Sequence, residues 1–247
     1  MVDWFTAYGN LIPAFQRRGR ESHVCFVMVS PALTAALARP DGLTYDPEVA
    51  CRHLSQADPR LGDLMARVGP FTMRPQPTQS LFAALMRSIV YQQLTGKAAE
   101  TILRRAVRAC APGRFPTPRQ VLAVTPERLR EAGLSTAKTI AVRDLAAKTL
   151  DGTVPSLARI RRMEDEEIIE RLTQVRGIGR WTVEMLLIFR LGRPDVLPVF
   201  DLGVRKGFGL VFQRGRLPEP RLMQRRGERW RPYRSVASWY LWRALEL

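Results

Sequence analysis

Cysteine, histidine and lysine are scarce in this 247-residue chain, which carries three, two and four of them. Cys25, Cys51 and Cys110 are odd in number and widely spaced, which excludes a disulfide framework and the close pairs of a zinc or iron–sulfur site. His23 and His53 do not complete a metal set with them. Long apolar runs are missing too, so nothing in the chain reads as a membrane span. The nearest approach is residues 24–38, which follow a basic run at Arg17, Arg18 and Arg20 in the outline of a secretory leader. Ser30, Pro31 and Thr34 interrupt that stretch, and the basic run stands far from Met1. Residues 1–45 are therefore read as an N-terminal extension, with Met28 as an alternative start.

Acid is in deficit. Against 23 Asp and Glu stand 39 Lys and Arg, a formal net charge of +16, and such an excess favours a polyanionic partner such as nucleic acid. Only Lys97, Lys138, Lys148 and Lys206 are lysines, so 35 of the bases are arginines, a bias to which genomic base composition also contributes. The remaining composition, 46% hydrophobic and 25% charged, is that of a globular protein able to bury one large core or two small ones.

From about residue 46 onward the apolar residues recur at three-to-four spacing and strand-like alternation is rare, which predicts an all-α fold of nine or ten helices. Asp58-Pro59, Thr117-Pro118 and Thr125-Pro126 read as helix starts, each with proline at the first helical position. Residues 75–79 read as a linker. Helices are expected over 81–94, 98–109, 137–150, 165–175, 181–191 and from 201, with a tryptophan-rich helical tail over 222–245.

The segment Leu172-Thr-Gln-Val175-Arg176-Gly177-Ile178-Gly179-Arg180-Trp181-Thr182 carries the most chemistry. One helix runs into Gly-Ile-Gly and another leaves it, so a tight turn with little side-chain bulk presents backbone N–H groups at a helix start. Flanked by Arg176 and Arg180, this is a cradle for a phosphate; an ordinary interhelical turn has the same outline. Asp201 follows the breaker Leu197-Pro198 and opens the next helix. Its position suits an N-cap, and a helix start also stabilises a carboxylate's charge, so a cap at this site is compatible with a catalytic role.

Several blocks in order resemble the helix-hairpin-helix DNA glycosylases, and within them the bacterial 3-methyladenine DNA glycosylase II type. They are Ile89-Val-Tyr-Gln-Gln-Leu94-Thr, Phe115-Pro-Thr-Pro118, Leu129-Arg-Glu-Ala-Gly133-Leu-Ser135, Val175-Arg-Gly-Ile-Gly-Arg-Trp-Thr182, Asp195-Val-Leu-Pro198 to Asp201, and Arg229-Trp-Arg-Pro-Tyr-Arg-Ser235. The resemblance implies a two-lobed fold with a cleft: residues 46–79 with 196–247 in one lobe and 80–195, holding the hairpin, in the other.

The resemblance also implies roles. Asp201 matches the catalytic aspartate that stabilises the oxocarbenium-like sugar as the base departs. Val175, Arg176, Gly177, Ile178, Gly179, Arg180 and Thr182 match the phosphate grip. Leu94, beside Gln93, matches the apolar wedge that fills the stack where a nucleotide has flipped out. Trp181 and Trp242 match aromatics lining the base pocket, with core packing the other reading for Trp242. Met185 and Leu202 stand where some relatives place tyrosines, leaving fewer aromatic walls. Bifunctional relatives carry a lysine nucleophile where Trp181 stands, so the enzyme expected is monofunctional. A cationic N3- or N7-alkylpurine needs no general acid to leave, and indole faces attract its charge.

Softer expectations complete the set. Gln92 and Gln93 suit either a contact to the opposite base or turn duty. Arg205, Lys206 and the arginines of 213–231 suit a DNA track or a solvated face. Arg234 suits an ion pair that buttresses the Asp201 loop, or plain packing. Glu184 is expected on a solvated helix face rather than in the pocket. No metal or organic cofactor is required, although hairpins of this kind hold a monovalent cation through carbonyls. The partner expected is double-stranded DNA with a damaged base, bound by a monomer in the cytoplasm of a bacterium. A same-fold glycosylase for another damaged or mismatched base, and a non-catalytic DNA-binding module, are the alternatives.

Overall fold

A computed structural model describes residues 42–247 apart from Pro77 and Gln79, and all regular structure among them is helical. The basic run, the 24–38 stretch, Met28, His23 and Cys25 lie outside the described residues, as does part of the 75–79 linker. Thirteen α-helices follow in order: α1 Pro47–Ala57, α2 Pro59–Val68, α3 Leu81–Tyr91, α4 Gly96–Cys110, α5 Pro118–Ala123, α6 Pro126–Glu131, α7 Thr136–Leu150, α8 Leu157–Ile160, α9 Asp165–Leu172, α10 Arg180–Phe189, α11 Leu202–Phe212, α12 Pro220–Gly227 and α13 Arg234–Arg243. The excess over the nine or ten expected comes from elements too short for a periodic signal, such as α8, and from the tail. There the single expected helix is two, because Pro232 lacks an N–H and cannot continue one through residues 231–233.

Local chemistry sets most boundaries. Thr117 and Gln120 form a capping box at α5, and Thr125, Ser135 and Ser156 each accept the backbone N–H three residues on. Helix α3 stops at Tyr91, three residues short of the expected end, and Gln93 takes a left-handed backbone with φ +58°. Helix α9 likewise ends at Leu172, freeing residues 173–179 to form the turn.

Two groups of helices emerge from the packing. Helices α1, α2, α11 and α13 contact one another, and α12 lies on α11. In the other group α7 is central, with α3, α5 and α6 packed around it and α4 on α3; α9 and α10 pack against each other. Centrality explains the composition of α7, which buries Thr139, Ala141, Val142, Leu145 and Ala146 on more than one face. Close backbone approach fixes α11 against α13: a Cβ on Gly207 would stand 1.8 Å from the Leu241 carbonyl oxygen, so only glycine fits there.

Asp58-Pro59 opens α2 as expected, with a further bond set on the aspartate. Asp58 occupies the N-cap position of α2 but makes no side-chain cap bond. Instead its fully buried carboxylate accepts from Arg226 Nε at 2.8 Å, Arg226 Nη2 at 2.7 Å and Trp230 Nε1 at 3.0 Å. Burial works against its charge, but the bonds from Arg226 and Trp230 outweigh it and hold the carboxyl below the usual carboxylate range. The start of α2 is thereby tied to the segment after α11.

Candidate active site

Asp201 sits at the N-terminus of α11 and is part-exposed. Its Oδ1 accepts the Val204 N–H at 2.8 Å, which is the helix cap, and also the Trp242 indole N–H at 2.8 Å. Its Oδ2 accepts the Trp181 indole N–H at 2.7 Å. Three donors from α10, α11 and α13 therefore converge on one carboxylate, fixing its plane while leaving lone pairs available on both oxygens. Expected as pocket walls, Trp181 and Trp242 turn their N–H edges to the carboxylate. Trp242 is 6% exposed and its ring lies 5.5 Å from that of Phe189, so it packs in the core while its N–H reaches Asp201.

The loop that delivers Asp201 is bolted to α13. Arg234 donates through Nε and Nη2 to the Asp195 carboxylate at 2.6 and 3.1 Å, and Arg231 Nη1 adds a bond of 2.6 Å. Val196 N–H donates to Ser235 Oγ at 3.0 Å, and Ser238 Oγ donates to the Val196 carbonyl at 3.3 Å. Both serines are fully buried, so these bonds are shielded from competing water. The buttressing reading of Arg234 is the one the structure bears out.

Gly203 is a site residue that sequence reasoning missed. A Cβ there would stand 2.7 Å from Trp242 Cδ1 and 3.1 Å from Asp201 Oδ1, so its bareness is what lets the indole reach the carboxylate. Only the pattern Asp-x-Gly at a helix start hinted at it. On either side of Asp201, Phe200 is 66% and Leu202 53% exposed, and Phe200 was missed as well. Met185 is buried on α10.

At the hairpin, Val175 and Ile178 are buried anchors, and Thr182 is buried too, while Gly177 and Gly179 are exposed. Gly177 has φ +77°, a backbone that disfavours any side chain, and its N–H and that of Gly179 make no hydrogen bond among the described residues. These are the free donors the sequence predicts. Arg176 is exposed, whereas its own N–H is taken by Asp144 Oδ2 at 2.7 Å. Of the hairpin carbonyls, Gly177 O accepts from Gln92 Nε2, Gln174 O from Lys148 Nζ, and Val175 O from the Ile178 N–H, each keeping a second lone pair. No step is assigned to a cation held there.

One expectation is corrected. Glu184 is not on a solvated face but 5% exposed on α10, where its Oε1 lies 3.3 Å from Arg180 Nε and its Oε2 has no hydrogen-bond partner. Burial, partly opposed by Arg180 and reinforced by Asp201, raises its carboxyl to about 7. Periodicity could not reveal this, because α10 buries residues on all sides. Arg205 is half-buried and donates through Nε and Nη2 to the Pro218 carbonyl at 3.3 and 2.9 Å, which leaves its charge unpaired by any carboxylate among the described residues. Lys206 is exposed. Arg180 donates to both oxygens of Glu166 at 2.7 and 2.8 Å. On the α3–α4 turn Gln93 is exposed and Leu94 half-buried.

With a glycine hairpin leading into α10 and a carboxylate capping α11 against two indoles, the chain has the parts of a base-excision protein. It belongs to the HhH-GPD superfamily of base excision DNA repair proteins, whose family model matches residues 86–232. DNA-3-methyladenine glycosylase 1 of Schizosaccharomyces pombe is 37% identical over 196 residues, covering 79% of this chain and 86% of that one. The solved structure of the S. pombe 3-methyladenine DNA glycosylase in complex with abasic DNA superposes with a TM-score of 0.70 at 36% identity, over 81% of this chain and 97% of that one. The Bacillus halodurans DNA-3-methyladenine glycosidase structure gives 0.72 at 36% identity, over 82% and 90%.

Proposed function

We propose that this protein hydrolyses the N-glycosidic bond of alkylated purines of the 3-methyladenine and 7-methylguanine type in duplex DNA, by a monofunctional mechanism. The convergence of the Trp181 and Trp242 N–H groups on the two oxygens of Asp201 carries the reading. A carboxylate so fixed can face the anomeric carbon of a flipped nucleotide and steady the positive charge that develops as the base departs, while water completes the substitution. The alkylated base leaves as a neutral species, so the chemistry asks for no general acid, and the site around Asp201 has no lysine nucleophile where Trp181 stands. In this reading Gly177 and Gly179 hold a backbone phosphate, Leu94 enters the stack, Gln93 contacts the opposite base, and the two helix groups form lobes on either side of the bound strand. The chain acts as a monomer without a cofactor.

The test is base release from methylated duplex by the wild type and by Asp201→Asn, which keeps the cap acceptor but not the charge. Release of 3-methyladenine or 7-methylguanine by the wild type alone is expected; equal release by the mutant overturns the mechanism, and none from either overturns the activity. Trapping of a covalent complex by borohydride would overturn the monofunctional assignment.

A further inference from the structure

The turn after α3 and the glycine hairpin are far apart in sequence, yet one helix touches both. At its first turn α7 sends Lys138 Nζ to the carbonyls of Val90 and Gln92, at 2.7 Å each. Three residues on, Ala141 lies beneath the hairpin, where a Cβ on Gly177 would meet its Cβ at 3.2 Å. Another turn on, Asp144 Oδ2 accepts the Arg176 N–H, and Lys148 bonds both Asp144, at 3.1 Å, and the Gln174 carbonyl. The spacing of three or four residues places Lys138, Ala141, Asp144 and Lys148 along one side of the helix. Gln92 Nε2 closes the figure by donating to the Gly177 carbonyl at 2.8 Å.

We infer that α7 is a spacer that sets the offset between the Gln93-Leu94 turn and the hairpin, with Lys138 and Gln92 as positioning residues for Leu94. This rests on the wedge role given to Leu94 above. Tyr91 and Arg87 of α3 both bond Glu100 of α4 and so hold the two flanking helices together, but they do not reach residues 92–94 themselves. The turn's own backbone contributes one bond, from Leu94 N–H to the Tyr91 carbonyl at 3.3 Å, and Gln93 is exposed in a left-handed conformation that side chains disfavour. The Lys138 ammonium gathers two carbonyls at the C-terminal end of α3, where orphan acceptors and the negative end of the helix dipole meet. An uncharged replacement leaves those acceptors to water and lets the turn drift relative to the phosphate grip. Neither residue touches the reacting atoms, so the effect is on insertion and not on bond cleavage itself.

The experiment uses a duplex carrying a tetrahydrofuran abasic analogue with 2-aminopurine in the opposing strand, whose fluorescence rises when a side chain unstacks it. The probe needs no catalysis, so it is independent of the excision reading. Lys138→Met is expected to lower the saturating fluorescence rise by about fivefold and kcat for methylated duplex by about tenfold, with affinity for undamaged duplex unchanged, and Lys138→Arg to restore most of both. If Lys138→Met does not fold, Gln92→Ala provides the same comparison from the other strap. A rise equal to wild type in the variant read, or no rise with the wild type, overturns the inference. Wild-type base release on methylated duplex is scored separately: its absence removes the excision reading alone, and its presence beside an unaffected fluorescence rise removes the spacer alone.

Discussion

Trp181 and Trp242 stand on different helices, 61 positions apart in the chain, and bond opposite oxygens of the same carboxylate. Each indole is therefore a support for Asp201. Replacing either by phenylalanine removes the N–H while keeping most of the aromatic bulk. A hydrogen bond to a charged group is worth about 1.5–3 kcal/mol, so kcat in single-turnover base release is expected to fall by roughly 10- to 100-fold for each, with little change in duplex affinity. Unchanged kcat in both variants would show that the indoles merely line the pocket.

Gly203→Ala is expected to reproduce the loss predicted for Trp242→Phe, because the added methyl takes the space through which the indole reaches Asp201. Overpacking of this sort costs about 1–3 kcal/mol, so thermal unfolding shifts down by a few degrees along with the rate. Combining Gly203→Ala with Trp242→Phe should cost far less than the sum of the two in base release, since both break the same contact.

Glu184 makes stability depend on pH. Its carboxyl is raised from 4.5 to about 7 in the folded chain, so across that window the folded state holds a proton that the unfolded state has lost. Stability is fully present below the lower value and declines as pH rises through the upper one. Urea unfolding between about pH 5 and about pH 8 should show this decline in the wild type, and Glu184→Gln should flatten it and be more stable at the alkaline end by up to about 3 kcal/mol. A wild-type profile that is flat or rises with pH would contradict the assignment.

Asp58 runs the other way. Its folded-state pKa is lowered, so its contribution is present above the unfolded carboxylate value and lost as pH falls through the folded one. Asp58→Asn leaves Arg226, whose side chain is 26% exposed, with an uncharged partner, and losing hydrogen bonds to a charged group of this kind costs about 1.5–3 kcal/mol. Chemical denaturation at neutral pH measures that loss, which should shrink in acid as the wild type loses the same interaction. A difference below about 1 kcal/mol at neutral pH would mean that Trp230 and the surrounding packing hold α2 without the charge.

Much of this was legible in the chain. Asp201 as a cap, the hairpin glycines and the helical class follow from local rules of turn and cap chemistry that act over three or four residues. What was not legible depends on long-range approach. Nothing near Gly203 announces an indole from residue 242, and nothing near Gln92 announces the carbonyl of Gly177. Asp58-Pro59 has the form of a helix start, but Arg226 and Trp230 offer its carboxylate stronger partners than the helix does. Glu184 was misplaced because a helix buried on every side has no polar face from which to judge an acidic residue.

Arg180, at the mouth of the hairpin, spends its charge on Glu166 and leans on Glu184. The excess of +16 for the whole chain therefore overstates what a DNA strand meets at that spot. In the proposed grip the cation left beside the glycines is the exposed Arg176, so Arg176→Ala should lower the salt dependence of duplex binding more than Arg180→Ala does.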